Sequence, residues 1–138
     1  MNDSTKLENK DLGVLILRIT IGGLMLFHGV AKLIHGHHAV KGMLISKGLP
    51  AFLWLMVPLT EVLAPVLLIF GLFTRFSAFG IALIMLASLF VAFGWSAFSI
   101  GTHGGLTAEL NLLFLGAACT LVFTGAGKYS IYQPKKHR

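Results

Sequence analysis

Cysteine is almost absent from this sequence: its 138 residues include one, Cys119. A single thiol excludes an intramolecular disulfide and a CxxC redox pair, so direct dithiol chemistry would need a sulfur from a partner. Cys119 lies within an apolar segment, where a cysteine usually serves as a small packing residue. We therefore expect no disulfide framework and no thiol redox centre within the chain.

Charged residues are also scarce. Only 12% of the residues are Asp, Glu, Lys or Arg, whereas 56% are hydrophobic. A soluble domain of this length keeps a large share of its residues at the surface, and its interior is too small to hide so much apolar area. Lipid is thus the expected solvent for most of the chain.

Acidic residues are the scarcest charged group, with five Asp and Glu against eleven Lys and Arg, which gives a formal net charge of +6. Nucleic-acid binding normally requires basic residues along one face or helix, and here they cluster in the tails and connections. Such positions place them beside anionic lipid headgroups. We therefore expect no nucleic-acid partner.

Four apolar runs are long enough to cross a bilayer as helices, which takes about 20 residues each. They cover Leu12–Ile34, Phe52–Phe73, Phe76–Ile100 and Leu106–Phe123. The first contains Arg18 and is not followed by a small-residue cleavage site, so we interpret it as a retained span and not as a signal peptide. The predicted fold is all-α: a four-helix transmembrane bundle with antiparallel up-down topology.

These runs divide the chain into an N-terminal tail (1–11), a membrane domain (12–132) and a basic C-terminal tail (133–138). The first connection, at 35–50, is long enough to hold a short interfacial helix. With four spans, both tails and the second connection share one side. That side holds seven Lys and Arg residues and the opposite side holds three. Because Lys and Arg favour the cytoplasmic side, we expect a bacterial-type inner membrane protein with both termini in the cytoplasm.

Small residues recur at helical spacing, which matters because helices in lipid associate through close packing of small side chains. Gly22 and Gly29 are seven residues apart in the first run. Glu109, Gly116 and Thr120 mark a comparable face on the fourth. Both stripes are predicted to point into the bundle.

Ionisable side chains within the spans are the candidates for function, because an unpaired charge at membrane depth costs at least ~2.5 kcal/mol. We estimate their depth in the membrane from a helical rise of ~1.5 Å per residue and from the tendency of helical side chains to point toward the N-terminus of their helix. Five residues then converge in the outer half as a ligand-binding or proton-exchange cluster: His28, Lys32, Glu61, Glu109 and Asn111. The alternatives are a buried ion pair that fixes helix register for Glu61 with Lys32, and an ordinary interhelical hydrogen bond for His28.

Other polar residues are interpreted as structural or lipid-facing. Arg18 lies a turn or two from the inner surface, where it either snorkels to lipid phosphates or pairs inside the bundle. Arg75 lies in the short second connection. The run HGHH (35–38), even with His103 nearby, has no standard spacing of metal ligands, so we favour a solvated loop and expect no metal.

Several of these residues together resemble the DoxX family of small four-helix membrane proteins. The resemblance extends from about Leu12 to Tyr132 and includes Arg18, FHGVAKL at 27–33, KGLP at 47–50, Glu61, GLFTRFSA at 71–78, HGG with the following Glu109, and GAGKYSIY before the tail. It implies a four-helix membrane bundle with varied biochemistry. Relatives include the small subunit of a thiosulfate:quinone oxidoreductase and a mycobacterial membrane protein that associates with superoxide dismutase and a sulfurtransferase. More distant similar folds act as chaperones in receptor assembly.

The resemblance and the polar cluster together suggest an accessory or quinone-binding subunit of a membrane oxidoreductase. In this hypothesis the cluster holds a quinone carbonyl and exchanges its proton. No catalytic residue is assigned, and quinone is the cofactor that the hypothesis names. The main alternative is a non-enzymatic assembly factor that binds transmembrane helices of a partner. A small transporter is a third hypothesis, although four helices make a thin pathway unless a homo-oligomer enlarges it.

Overall fold

The computed structural model describes residues 9–132. Within that range the chain is helical, apart from the connections between helices and the segment 125–132, and one isolated bridge joins Ile100 to Leu106. We number the helices of this range α1 (Lys10–Ala31), α2 (His37–Ser46), α3 (Ala51–Phe70), α4 (Thr74–Phe98) and α5 (Glu109–Thr124). Most of the predicted N-terminal tail and all of the C-terminal tail at 133–138 lie outside the described residues.

Three helical stretches in the described range are long and apolar enough to cross a membrane, namely Lys10–Ser46, Ala51–Phe70 and Thr74–Phe98. α5 is also apolar but has only 16 residues. At ~1.5 Å per residue it is about 24 Å long, slightly short of a hydrocarbon core of ~30 Å. The predicted all-α class is confirmed, with three long apolar helices and a shorter one.

The first helical stretch is longer than the predicted run. α1 continues through a π-helical turn at Lys32–Gly36 into α2, so the chain stays helical from Lys10 to Ser46. The predicted short helix in the first connection is therefore present. The predicted loop at HGHH was wrong, because no proline interrupts the helical hydrogen bonds there, and the helix ends only before Gly48, which has a φ of 72°.

The fourth predicted run begins later than expected. Leu106 pairs with Ile100, and the Thr107 N–H donates to the Ser99 carbonyl at 2.9 Å. These contacts hold the third connection in an extended turn. α5 therefore begins at Glu109 and not at Leu106.

The core lies between α1, α3, α4 and α5. Its buried side chains are Ile21, Met25, Ala64, Leu68, Ala78, Ile81, Ala82, Met85, Phe114, Ala118 and Leu121. On α5 the buried residues recur at intervals of four and three, which is one face of a helix. The predicted inward stripe on this helix was wrong, because Glu109, Gly116 and Thr120 lie on the exposed side.

Glycines let α1 approach α3 closely. A Cβ atom at Gly22 would lie 2.9 Å from the Pro65 carbonyl oxygen, and one at Gly29 would overlap the Glu61 carbonyl oxygen. Both glycines are buried, so the predicted inward stripe of α1 is confirmed. This contact brings the end of α1 against the middle of α3, where the candidate site lies.

Candidate functional site

A cavity of about 310 Å³ is lined by residues of all five helices. Its polar lining residues are His28, Lys32, Glu61, Ser88 and Asn111. Its apolar walls include Met25, Val40, Met43, Leu44, Leu53, Val57, Ile84, Met85, Val91, Leu110 and Phe114. Apolar walls with a few convergent polar groups are the usual form of a small-molecule site.

Glu61 is the buried charge of this cavity, with 1% of its surface exposed. Its Oε1 accepts a hydrogen bond from Lys32 Nζ at 2.7 Å. Its Oε2 is also buried and has no hydrogen-bond partner among residues 9–132. A buried polar atom without a partner is costly and uncommon in folded proteins. Glu61 therefore offers a strong acceptor to any donor that occupies the cavity.

The close approach of α1 to α3 places Lys32 beside Glu61. Gly29 lets the two backbones touch, and Lys32 follows three residues later on the same face of the helix. Both residues lie in π-helical turns, at Lys32–Gly36 and Leu59–Leu63. A π-helical turn changes which way its side chains point and is frequent at functional sites.

His28 and Asn111 contribute from two other directions. The His28 ring is exposed at the edge of the cavity and meets Phe114 edge-on, with ring centroids 6.1 Å apart. Asn111 Nδ2 donates to Ser88 Oγ at 2.9 Å. Sequence reasoning missed Ser88, whose only signal was a hydroxyl within an apolar run.

The structure does not bring Glu109 into this group. Its side chain is exposed, and its carboxylate lies against the backbone of Gly105, where a Cβ atom would find no room. As the first residue of α5, Glu109 is well placed to interact with the positive end of the helix dipole.

Arg18 forms a separate buried site in the first half of α1, with 1% exposure. Its Nε donates to the Leu68 carbonyl at 2.9 Å and its Nη2 to the Ile69 carbonyl at 3.0 Å. Its Nη1 donates to the carbonyls of Ala126 and Tyr129 at 2.7 and 2.6 Å. Arg18 therefore joins the end of α3 to the segment that follows α5.

Arg75 differs from Arg18, because it is exposed and has one long hydrogen bond, 3.5 Å from Nη2 to the Phe123 carbonyl. The segment after α5 makes a second contact with α1 at Asp11, whose Oδ1 accepts a hydrogen bond from the Lys128 N–H at 2.9 Å. Both ends of the described chain therefore meet at one end of the molecule.

Within the described range, no group of three or more His, Cys, Asp or Glu side chains is placed to hold a metal ion. The histidines of HGHH instead make ring contacts. His37 and His38 have centroids 4.0 Å apart, His37 also faces Trp54 at 6.0 Å, and Lys41 Nζ lies 4.9 Å from the Trp54 ring. These contacts hold α2 against the start of α3, so α2 forms one wall of the cavity.

The sequence profile of the DoxX family matches residues 13–94, more than half of the chain. The chain belongs to the DoxX family. It is 33% identical over 126 residues to the inner membrane protein YqjF of Escherichia coli K12, and the match covers 91% of this chain and 92% of that protein. An uncharacterized protein of Haemophilus influenzae is 33% identical over 115 residues, 80% of this chain and 81% of its own length. No solved structure gives a significant match.

In this DoxX protein, the matched range includes His28, Lys32 and Glu61, whereas Asn111 lies beyond it. These residues give the cavity one buried carboxylate oxygen that accepts, and an ammonium and an imidazole that can donate. The arrangement suits a ligand that carries both a hydrogen-bond donor and an acceptor on an otherwise apolar body.

Proposed function

We propose that this membrane protein binds a quinone or quinol headgroup in its cavity, as an accessory subunit of a membrane oxidoreductase system. The observation that carries the proposal is the buried, unpartnered Oε2 of Glu61 in the wall of an apolar cavity. A quinol hydroxyl is a donor for that oxygen, and a quinone carbonyl is an acceptor for Lys32 or His28. The apolar walls suit the ring.

The roles of the residues follow from their bonds. Lys32 orients the Glu61 carboxylate through Oε1. Oε2 receives the hydrogen bond from the hydroxyl and is the atom that can take its proton. The paired Asn111 and Ser88 supply a polar patch on the α4 and α5 side. Oxidation of the quinol would then pass its two electrons and its second proton to an oxidoreductase partner within the bilayer.

We also infer that α5 is a fourth span, that the helices alternate in direction, and that both termini face the cytoplasm of a bacterial cell. The bonds of Arg18 and Asp11 to the segment after α5 support this, because an even number of spans returns the chain to its starting side. The excess of Lys and Arg in the tails supports the cytoplasmic assignment.

Calorimetric titration of the purified protein in lipid nanodiscs with a short-tailed benzoquinol tests the binding proposal. We expect saturable binding to the wild type and a loss of about tenfold or more in affinity for Glu61→Gln, since a hydrogen bond to a charged group contributes ~1.5–3 kcal/mol. Glu109→Gln is the matched control, because Glu109 lies outside the cavity, and it should bind like the wild type.

Breaking the pair could also weaken the fold, since removing one partner of a buried ion pair can cost about 3–5 kcal/mol. The double variant Lys32→Gln with Glu61→Gln keeps a neutral hydrogen-bonded pair and should fold while binding weakly. A wild type that does not bind the quinol would contradict the proposal. If crosslinking then recovered a membrane partner equally well with Glu61→Gln, the assembly-factor function would replace it.

A further inference from the structure

The cavity has a mouth, marked by the lining residues that are also exposed. These are His28, Met43, Ala87, Ala92 and Leu110, which come from α1, α2, α4 and α5. Four of the five are apolar. The rim is therefore mainly apolar, with His28 and the Lys32 side chain, which is 36% exposed, as its polar members.

The helices that form the mouth also carry exposed apolar side chains. Among them are Phe27 on α1, Phe90 on α4, whose ring lies 5.9 Å from Lys47 Nζ, and Leu113 on α5, one turn after Leu110. These three side chains are 79%, 69% and 70% exposed, respectively. In a membrane protein, exposed apolar residues of this kind contact acyl chains, which favours a mouth that faces lipid.

The buried acceptor of the cavity lies away from that mouth, whereas His28 is one of the exposed lining residues and the Lys32 side chain is 36% exposed. Glu61 is almost fully buried, whereas the rim residues Met43 and Leu110 are 43% and 44% exposed. A bound molecule therefore meets its acceptor inside and an apolar surface at the opening. A buried acceptor behind an apolar opening matches a ligand with a polar head group and an apolar tail, bound with its head group innermost.

We propose that the cavity is loaded from the bilayer and takes a lipid-dissolved amphiphile whose donor group binds Glu61 Oε2 and whose tail leaves past Met43 and Leu110 into the acyl chains. The inference deepens the proposed function, since it concerns the same cavity, but it depends on a tail and a donor and not on a quinone ring. A long-chain alkylphenol meets both conditions. It can therefore be tested with a ligand that has no redox chemistry.

The probe is an alkylphenol that carries a photoreactive diazirine on its ring, compared with the same phenol without a tail. After irradiation in nanodiscs, mass spectrometry locates the labelled residues. We expect the tailed probe to label deep lining residues such as Met25 and Phe114, in proportion to its mole fraction in the lipid. The tail-less probe should label them about tenfold less at equal total concentration, because its headgroup is not concentrated in the bilayer.

Rim variants test the route. Leu110→Trp should narrow the mouth and reduce deep labelling, whereas Leu113→Trp, on the same helix but outside the cavity, should leave it unchanged. Ala92→Phe is a second narrowing variant, for use if Leu110→Trp lowers the melting temperature. Equal labelling by both probes, or labelling that is the same in both narrowing variants as in the wild type, would overturn the inference.

The two proposals fail separately. Deep labelling by the tailed phenol without any quinol binding would contradict only the proposed function. Suppose instead that quinol binding depends on Glu61, but that deep labelling is the same for both probes and in the rim variants. That result would contradict only loading from the bilayer.

Discussion

Two buried charges in the membrane domain are accommodated in different ways. Glu61 and Arg18 are each only 1% exposed. Arg18 directs its guanidinium to four backbone carbonyls, two of which, those of Leu68 and Ile69, lie at the end of α3. The Leu68 carbonyl also accepts from the Gly71 N–H at 3.1 Å. Glu61 uses one oxygen for Lys32 and leaves the other unpartnered within the described range. The first arrangement is complete and structural, and the second can still accept a ligand.

Replacing Arg18 by lysine tests the structural role. A lysine keeps the charge but cannot reach four carbonyls in two directions, so Arg18→Lys should lower the free energy of unfolding by about 2–4 kcal/mol. Arg75→Lys, which alters an exposed residue with one long hydrogen bond, should change it by less than about 0.5 kcal/mol. Thermal melting in detergent measures both variants. Equal shifts would mean that the Arg18 bonds contribute nothing to stability.

Single residues differ in how well the sequence predicts them. The meeting of Lys32 with Glu61 could be expected from helix depth and side-chain lean, since each has a side chain that needs a partner. The partners of Arg18 could not be predicted from the sequence, because they are backbone carbonyls, which every residue carries. The position of Glu109 depends on where α5 begins, and the bridge from Ile100 to Leu106 decides that.

At the scale of elements, the helices depart from regular geometry around the cavity. π-helical turns occur at Lys32–Gly36, Leu59–Leu63 and Leu89–Phe93, one in each of the three long stretches. Each turn contributes to the cavity: Lys32 from the first, Glu61 from the second, and Val91, Ala92 and Phe93 from the third. A regular period of 3.6 residues predicts the helices and their approximate depth. It cannot predict these local turns, which change the direction of individual side chains.

The packing of α1 on α3 is tested by Gly29→Ala. The added methyl group would overlap the Glu61 carbonyl, so the helices must separate, and we expect a destabilisation of about 1–3 kcal/mol together with weaker quinol binding. Gly23→Ala is the matched control on the same helix, because its Cβ atom would meet nothing within 4 Å. It should be neutral or slightly stabilising, since alanine favours helix. Similar melting temperatures for the two variants would show that the close contact is unimportant.

At the scale of the whole molecule, the two ends of the described chain are joined. Asp11 and Arg18 on α1 bind the segment after α5 at Lys128, Ala126 and Tyr129. The apolar runs of the sequence predict the helical class well, because lipid leaves few other ways to satisfy the backbone. They do not predict the joined ends, which depend on hydrogen bonds between positions more than 100 residues apart.

Thiol labelling of intact cells tests the proposed topology. In a Cys119→Ser background, Ser46→Cys and Thr102→Cys should react with a membrane-impermeant reagent, because both exposed positions are expected outside the cytoplasm. Asn9→Cys should react only after the cells are made permeable. Labelling of Asn9→Cys in intact cells, with protection of the other two, would place the termini on the opposite side.

The most direct test of the site is an infrared difference spectrum recorded when a short-tailed benzoquinol is added to the protein in nanodiscs. If Glu61 Oε2 receives the hydroxyl hydrogen bond, addition of the quinol should shift a carboxylate band in the wild type. The same shift should be seen in Glu109→Gln and should be absent in Glu61→Gln. A spectrum without a carboxylate band, or one that is unchanged in Glu61→Gln, would contradict the central claim that this buried oxygen is the receptor for the ligand.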